Sequence, residues 1–249
     1  MAFSFAGDLS GAAPVVKKLQ IAADVYQGQL LRWDDNAGGL VEPVAAAAAG
    51  PDVTSIVAGI CTGIVTSPVF NATYKGDKGT YDTAQADLEA NNPVGPTLAE
   101  VLLITPTTLI KAPIVKDTIG TAPERKACTT GSADGLTFVV PAIDTTVSNY
   151  SSAYCSAGAN RGQYRKITTG AVTTQTVLVP FTYDIAVGDI FCIANIKEGL
   201  AHIDLDTQLQ GIDSSPALTS YFVVYVHELN LEEAGKEYAI FTISPRHLL

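Results

Sequence analysis

Charge is scarce in this chain, and so are the side chains that most often do chemistry. Asp, Glu, Lys and Arg make up 16 % of the 249 residues, there are three histidines, and four cysteines are scattered without a CxxC spacing. An average soluble domain carries roughly 25 % charged residues. The basic side chains are the rarer sign: 15 against 25 acidic ones, a net charge of −10 and a pI near 4.6. So acidic a chain has no broad surface for the phosphate backbone of nucleic acid and none for an anionic membrane. No run reaches the ~18 to 20 continuous apolar residues of a spanning helix. The opening MAFSFAGDLSGAAP has no basic region ahead of an apolar core, so it does not read as a secretory signal. Expected, then, is a protein that folds where it is made and binds neither nucleic acid nor membrane.

Catalytic signatures are missing as well. No GxSxG elbow surrounds a serine, and neither GxxxxGK[ST] nor GxGxxG after a strand occurs. Three histidines leave few general bases: His227 sits in the apolar run YFVVYVHEL and reads as a strand residue, and His247 near the end reads as a surface or packing residue. His202, Asp204 and Asp206 alternate with Ile203 and Leu205, which puts all three on one strand face about 7 Å apart. Such a trio has the donor types for a divalent ion, but the solvated face of a half-buried strand has the same pattern. No catalytic, cofactor or metal residues are assigned, and the chain is read as a non-enzyme. Cys61 and Cys192, inside apolar runs, read as buried free thiols, and Cys128 and Cys155, in loop-like sequence, are an open case for pairing.

What the chain does have is β-forming sequence punctuated by glycine. Two segments, Val25 to Val44 and Val177 to Asn195, each place apolar β-formers on both sides of a Gly-centred turn. Strands are also expected at Val15 to Ala22, Gln29 to Trp33, Leu40 to Val44, Leu109 to Val115, Leu136 to Val140, Val177 to Phe181, Ile190 to Ala194, Ala201 to Leu205, Tyr221 to Leu229 and Glu237 to Ile243, while Leu98 to Ile104 fits helix or strand, with Pro106 and the following Thr residues favouring an extended course. Ile56 to Val65 is apolar on both parities, the pattern of a strand buried on two sides. One short helix is expected from Asp82 to Asn91, capped by Asp82 and closed by Asn92-Pro93. The fold class is therefore mainly β: a small antiparallel barrel, β-tulip-like, plus a second antiparallel β domain. Residues 1–119 form the first domain with its N-terminal arm, 120–135 the linker, rich in turn formers, and 136–249 the second.

From Asp144 to Gly162 the sequence turns Ser, Tyr, Asn and Gly rich without periodicity and reads as a long contact loop. Tyr150, Tyr154, Arg161, Tyr164 and Arg165 in and beside it are the types enriched in protein interfaces, and they form the candidate docking surface.

The phrase QIAADVYQGQLLRWDDNAGGLVEPVAA followed by IVAGICTGIV, residues 18–65, resembles the small β domain of tailed-phage head decoration and head-associated proteins. The shared pattern is a strand ending in a Gly turn, a hairpin, an Ala-rich segment and an apolar strand with interspersed Gly. The resemblance implies a capsid decoration or cement protein on the virion surface, made in the host cytoplasm. Its partner would be the major capsid protein, and it would self-associate, often as a trimer, to match lattice symmetry. It further implies that the arm Met1 to Pro14 adds a strand to a neighbour's sheet edge. Other readings of the same features are a tail-tube or shell subunit, and a secreted β-sandwich binding module.

Overall fold

A computed structural model of the chain describes residues 3–34, 40–44, 56–66, 68–71, 76–81, 97–114, 123–143, 151–206, 211–214 and 222–248. The expected helix at Asp82 to Asn91, the alanine run at 45–49 and Tyr150 lie outside these residues. The described chain is mainly antiparallel β, as its alternating and Gly-punctuated runs require, and it divides into two compact units. The first comprises Met1–Ala112, Leu205–Gly211 and Thr242–Leu249, and the second Pro113–Asp204 and Ile212–Phe241.

Unit 1 is built on strands β1 (Ser4–Asp8), β2 (Val16–Gln20), β3 (Val25–Tyr26), β4 (Leu30–Trp33), β5 (Val41–Pro43), β6 (Val57–Ile64), β7 (Val69–Asn71), β8 (Gly76–Gly79), β9 (Leu98–Leu103) and β10 (Thr108–Pro113). Five of them form a sheet in the order β2-β9-β6-β4-β5. Its edges meet: Ile21, just past β2, bridges Val41 of β5 in parallel, and the Ala22 N–H donates to the Val41 carbonyl at 2.8 Å. The result is a small barrel, and the resemblance segment contributes to it the end of β2 and the strands β4, β5 and β6, while its β3 lies in the three-stranded sheet β3-β8-β7. Inside are Ile21, Val25, Leu31, Val41, Ala58, Cys61, Ala99 and Val101, all buried. Strand β6 lies between β9 and β4, so Val57 to Cys61 are buried on both parities, as their unbroken apolar run indicated. The hairpin β4-β5 pairs Arg32 with Glu42, whose side chains form an ion pair at 2.6 Å. The arm is used at home: β1 pairs antiparallel with β10 of the same chain, and Phe3 is anchored in the core. Within the chain β1 is an outer strand of its sheet, with β10 on one side.

Unit 2 adds β11 (Glu124–Ala127), β12 (Thr137–Val139), β13 (Ser152–Ala157), β14 (Tyr164–Gly170), β15 (Thr174–Val177), β16 (Ile190–Ala194), β17 (Gly199–Asp206), β18 (Gly211–Ser214), β19 (Phe222–Asn230) and β20 (Tyr238–Ile243). Here the order is β11-β16-β13-β14-β15-β12. This sheet also curls until its edges touch, since the Thr129 N–H donates to the Val139 carbonyl at 2.7 Å and the Val139 N–H to the Thr130 carbonyl at 2.8 Å. Its core holds Phe138, Phe181 and Phe191, with Phe138 stacked on Phe191 at 4.1 Å between centroids. A second sheet, β20-β19-β17-β18, belongs largely to this unit. The stretch 120–135, rich in turn formers, carries strand β11. Arg125 of that strand donates to the Leu231 carbonyl at 2.5 Å and pairs with Glu237 at 3.1 Å.

Both barrels contain one identical device. Gly28 (φ 84°) and Gly188 (φ 95°) adopt the left-handed conformation, and each is followed by a buried polar side chain. Gln29 Oε1 accepts from the Tyr26 N–H at 2.8 Å, and Asp189 Oδ2 accepts from the Ala186 N–H at 3.0 Å. The backbone then exchanges a pair of hydrogen bonds with a cysteine: Gly28 N–H to Cys61 O at 2.7 Å and Cys61 N–H to Gln29 O at 2.9 Å, matched by Gly188 N–H to Cys128 O at 2.9 Å and Cys128 N–H to Asp189 O at 2.7 Å.

All four cysteines are buried free thiols, Cys128 and Cys155 included. Burial pushes Cys61 and Cys192 up to about 12 and Cys155 up to about 11, so none is a thiolate at neutral pH.

Two glycines are fixed by space. A Cβ on Gly59 would sit 2.1 Å from the Leu102 carbonyl oxygen, and one on Gly131 would sit 1.8 Å from that of Ile185. Gly188 has open space around it and only its φ to protect. Gly131→Ala is therefore expected to cost about 3 kcal/mol and Gly188→Ala about 1 kcal/mol, read from urea unfolding midpoints. Equal midpoints for the two variants contradict the close backbone approach.

At the end of the chain the short 3-10 turn Pro245–His247 tucks His247 into unit 1. Burial, and then the positive charge of Arg246, press its imidazole down from 6.5 to about 4. Arg246 Nε donates to His247 Nε2 at 2.9 Å, which requires the neutral ring. The unfolded chain binds the proton first, so this residue leaves stability untouched above about pH 6.5 and lowers it as pH falls from 6.5 toward 4. His247→Gln is expected to flatten that part of the stability–pH curve, measured by thermal melts across the window.

Candidate functional site

The stretch from Asp144 to Gly162 does not form the single long loop expected of it. From Ser152 it is strand β13, which turns through Gly158–Gly162 and returns as β14, with Tyr154 directly opposite Tyr164. Alternation was hidden because Ser152, Ala153 and Cys155 are all small and all buried, so neither face looks polar. The tip is fixed from inside. Asn160, fully buried, donates through Nδ2 to the Tyr183 and Asp184 carbonyls at 2.9 and 3.3 Å and accepts the Tyr183 N–H at 2.9 Å. Gln163 Oε1 accepts the Thr182 N–H and hydroxyl, both at 3.0 Å.

These side chains replace a strand ladder. Val177 to Phe181, expected as a strand facing Ile190 to Ala194, leaves β15 at Val177 and runs as an irregular segment. Pro180 has no N–H to give a ladder, and its carbonyl accepts from Arg165 Nε at 2.9 Å. The partners of β16 are β11 and β13.

Of the residues singled out in the sequence, Tyr164 and Arg165 come together on β14, and both are engaged within the chain. The Tyr164 hydroxyl accepts the Glu198 N–H at 3.1 Å, and burial drives it up to about 12. Arg165 donates to the carbonyls of Pro180 and Tyr164 and to Gln163 Oε1, and its guanidinium lies 5.3 Å above the Phe181 ring. Tyr154 is half-buried, with its hydroxyl shifted upward by burial and by Glu232. Arg161 is exposed at the hairpin tip. The side chains of His202, Asp204 and Asp206 on β17 are outside the described residues. Among the described residues no group of three or more His, Cys, Asp or Glu is placed to hold a metal. His227 lies on the exposed face of β19 with its ring 4.9 Å from that of Tyr225.

Beside the two engaged residues is a groove of about 380 Å³, lined by Tyr164, Arg165, Lys166, Leu178, Val179 and Glu198. Leu178 and Val179 are more than half exposed there. The sequence signal for them existed, an apolar LVP run, but it was read as core-forming strand. A second cleft of similar size in unit 1 lies between the 8–17 segment and the β9-β10 turn, with Thr105, Thr107 and Thr108 on one wall.

No family model matches the chain, and no curated protein or solved structure matches it either.

Asn160 is the pin of this site, so Asn160→Ala is expected to leave three backbone groups of residues 183 and 184 without partners. The expected cost is about 3 kcal/mol, with faster proteolytic cleavage within 178–184 than elsewhere. Parent-like stability and cleavage of this variant contradict the pinning.

Proposed function

We propose that this chain is a structural protein of a virus particle, and specifically a capsid decoration or cement subunit that binds and stabilises the lattice of the major capsid protein. The observation that carries the reading is large apolar side chains held in water on well-packed β scaffolds. Val69 and Phe70 are 60 % and 67 % exposed on β7, the edge of the three-stranded sheet β3-β8-β7. Leu178 and Val179 are 60 % and 56 % exposed beside the unit 2 groove. Exposed patches of this kind on a chain with little charge are what a contact protein needs. The four thiols are meanwhile buried, and so is the neutral His247.

Two further points support it. The segment that resembles phage decoration proteins supplies three of the five strands of the unit 1 barrel, β4, β5 and β6, and the end of β2. Small rigid barrels also suit a mechanical task, in which many copies each bury on the order of 1,000 to 2,000 Å² and act together. Self-association, as a trimer on a threefold lattice position, is part of the same proposal, with the capsid surface as location and the host cytoplasm as the place of synthesis.

Density-gradient fractionation of the native source with mass spectrometry tests this. Co-migration with intact particles at near-lattice stoichiometry is the expected result. A few copies per particle favours a tail or vertex component, and absence from the particle band rejects the virion reading.

A further inference from the structure

The unit 2 groove is positively charged on a chain whose net charge is −10. Arg165 carries a full charge, yet its hydrogen-bond partners are the Pro180 and Tyr164 carbonyls and the Gln163 amide oxygen, all neutral. Lys166, next to it on the opposite face of β14, forms no ion pair among the described residues. Five other basic side chains are paired with carboxylates: Arg32 with Glu42, Lys78 with Asp24, Arg125 with Glu237, Lys126 with Glu124 and Lys236 with Glu233. Lys197 stands close enough to Lys166 for the two ammoniums to repel, and burial followed by that repulsion lowers its pKa. Glu198 is the lone carboxylate in the lining.

The apolar part of the groove is as specific as its charge. Leu178 is held against β14 by its N–H, which donates to the Lys166 carbonyl at 2.7 Å. The Arg165–Pro180 bond fixes the next turn of chain, and Asn160 and Gln163 pin residues 182 to 184. Leu178 and Val179 are thus exposed on a segment tied down at both ends. Side chains so restrained lose little freedom when a partner covers them.

We propose that this groove seats an extended acidic segment of a partner protein, whose carboxylates meet Lys166 while an apolar residue covers Leu178 and Val179. A like-charged protein surface elsewhere on the chain steers acidic partners away, so the groove selects one docking orientation. The inference deepens the decoration reading, in which the segment belongs to the capsid lattice, and rests on it for the partner's identity.

The test uses the full chain and an acetylated, amidated peptide of alternating Leu and Glu, with the Leu–Lys analogue as control. Expected is saturable binding of the acidic peptide with NMR shift changes confined to Lys166, Leu178, Val179 and Glu198, weakening as salt rises. Lys166→Glu should weaken it at least tenfold, and so should Leu178→Ser, whereas Leu200→Ser on exposed β17 should leave it unchanged. Absent binding, equal binding of the basic analogue, or shifts centred elsewhere overturns the proposal. Particle co-sedimentation of the same variants separates the two readings: Lys166→Glu and Leu178→Ser that still load onto particles reject the groove alone, and a parent chain that never loads rejects the virion role.

Discussion

Both barrels depend on a glycine that turns left. At Gly28 and Gly188 the backbone takes a conformation that side chains disfavour, and this aims the next residue's side chain back at the N–H two residues before the glycine. The buried oxygen of Gln29 or Asp189 satisfies a part-buried backbone donor of the turn, whose loss would cost on the order of 1 kcal/mol. The same turn delivers the strand that follows, β4 or β16, straight into antiparallel exchange with a cysteine-bearing neighbour. Substituting an apolar residue for Asp189 would remove the acceptor, and the carboxylate also packs against Gly158, where a Cβ would lie 2.1 Å from Asp189 Oδ1. The turn therefore holds its own strand and the β13-β14 hairpin together.

The device is shared but the barrels are not copies. In unit 1 the cysteine strand β6 follows the turn strand β4, and in unit 2 its counterpart β11 precedes β16. The closures differ too, parallel at Ile21 and Val41 and antiparallel at Thr130 and Val139. A local solution to one problem, how to enter a small barrel without an orphaned N–H, has been placed in two strand orders. That is why the chain has no repeat of fixed period although two of its segments look alike.

Legibility in the sequence followed from how local each signal was. The Gly turns, the hairpin of Leu30 to Pro43 and the doubly buried strand at Val57 to Ile64 were readable because glycine, β-branching and unbroken apolarity act within a few residues. The clamp on Ala186 uses Asp189, a familiar turn former, whereas its counterpart uses Gln29, a residue with no such reputation. The course of residues 178–184 was not readable at all. Leu178 and Val179 have strand propensity, and what overrides it is a set of long-range bonds from Asn160, Gln163 and Arg165. For the same reason Tyr164 and Arg165 were recognised as notable types but not as internal struts. Interface enrichment and internal packing draw on the same side chains, and only the partners of the hydroxyl and guanidinium distinguish them.

That override links fold to proposed work. A strand at Val177 to Phe181 would have turned Leu178 or Val179 into the core by alternation. Polar pins instead hold the segment off the ladder, so both side chains remain in water beside Lys166. Exposing two aliphatic groups forfeits the roughly 1.5 to 3 kcal/mol that burying each would contribute. Arg165 compounds it by holding its charge among neutral carbonyls when acidic residues outnumber basic ones on this chain. Both features are unfavourable in isolation and become favourable under one condition, contact with a surface that is acidic and partly apolar.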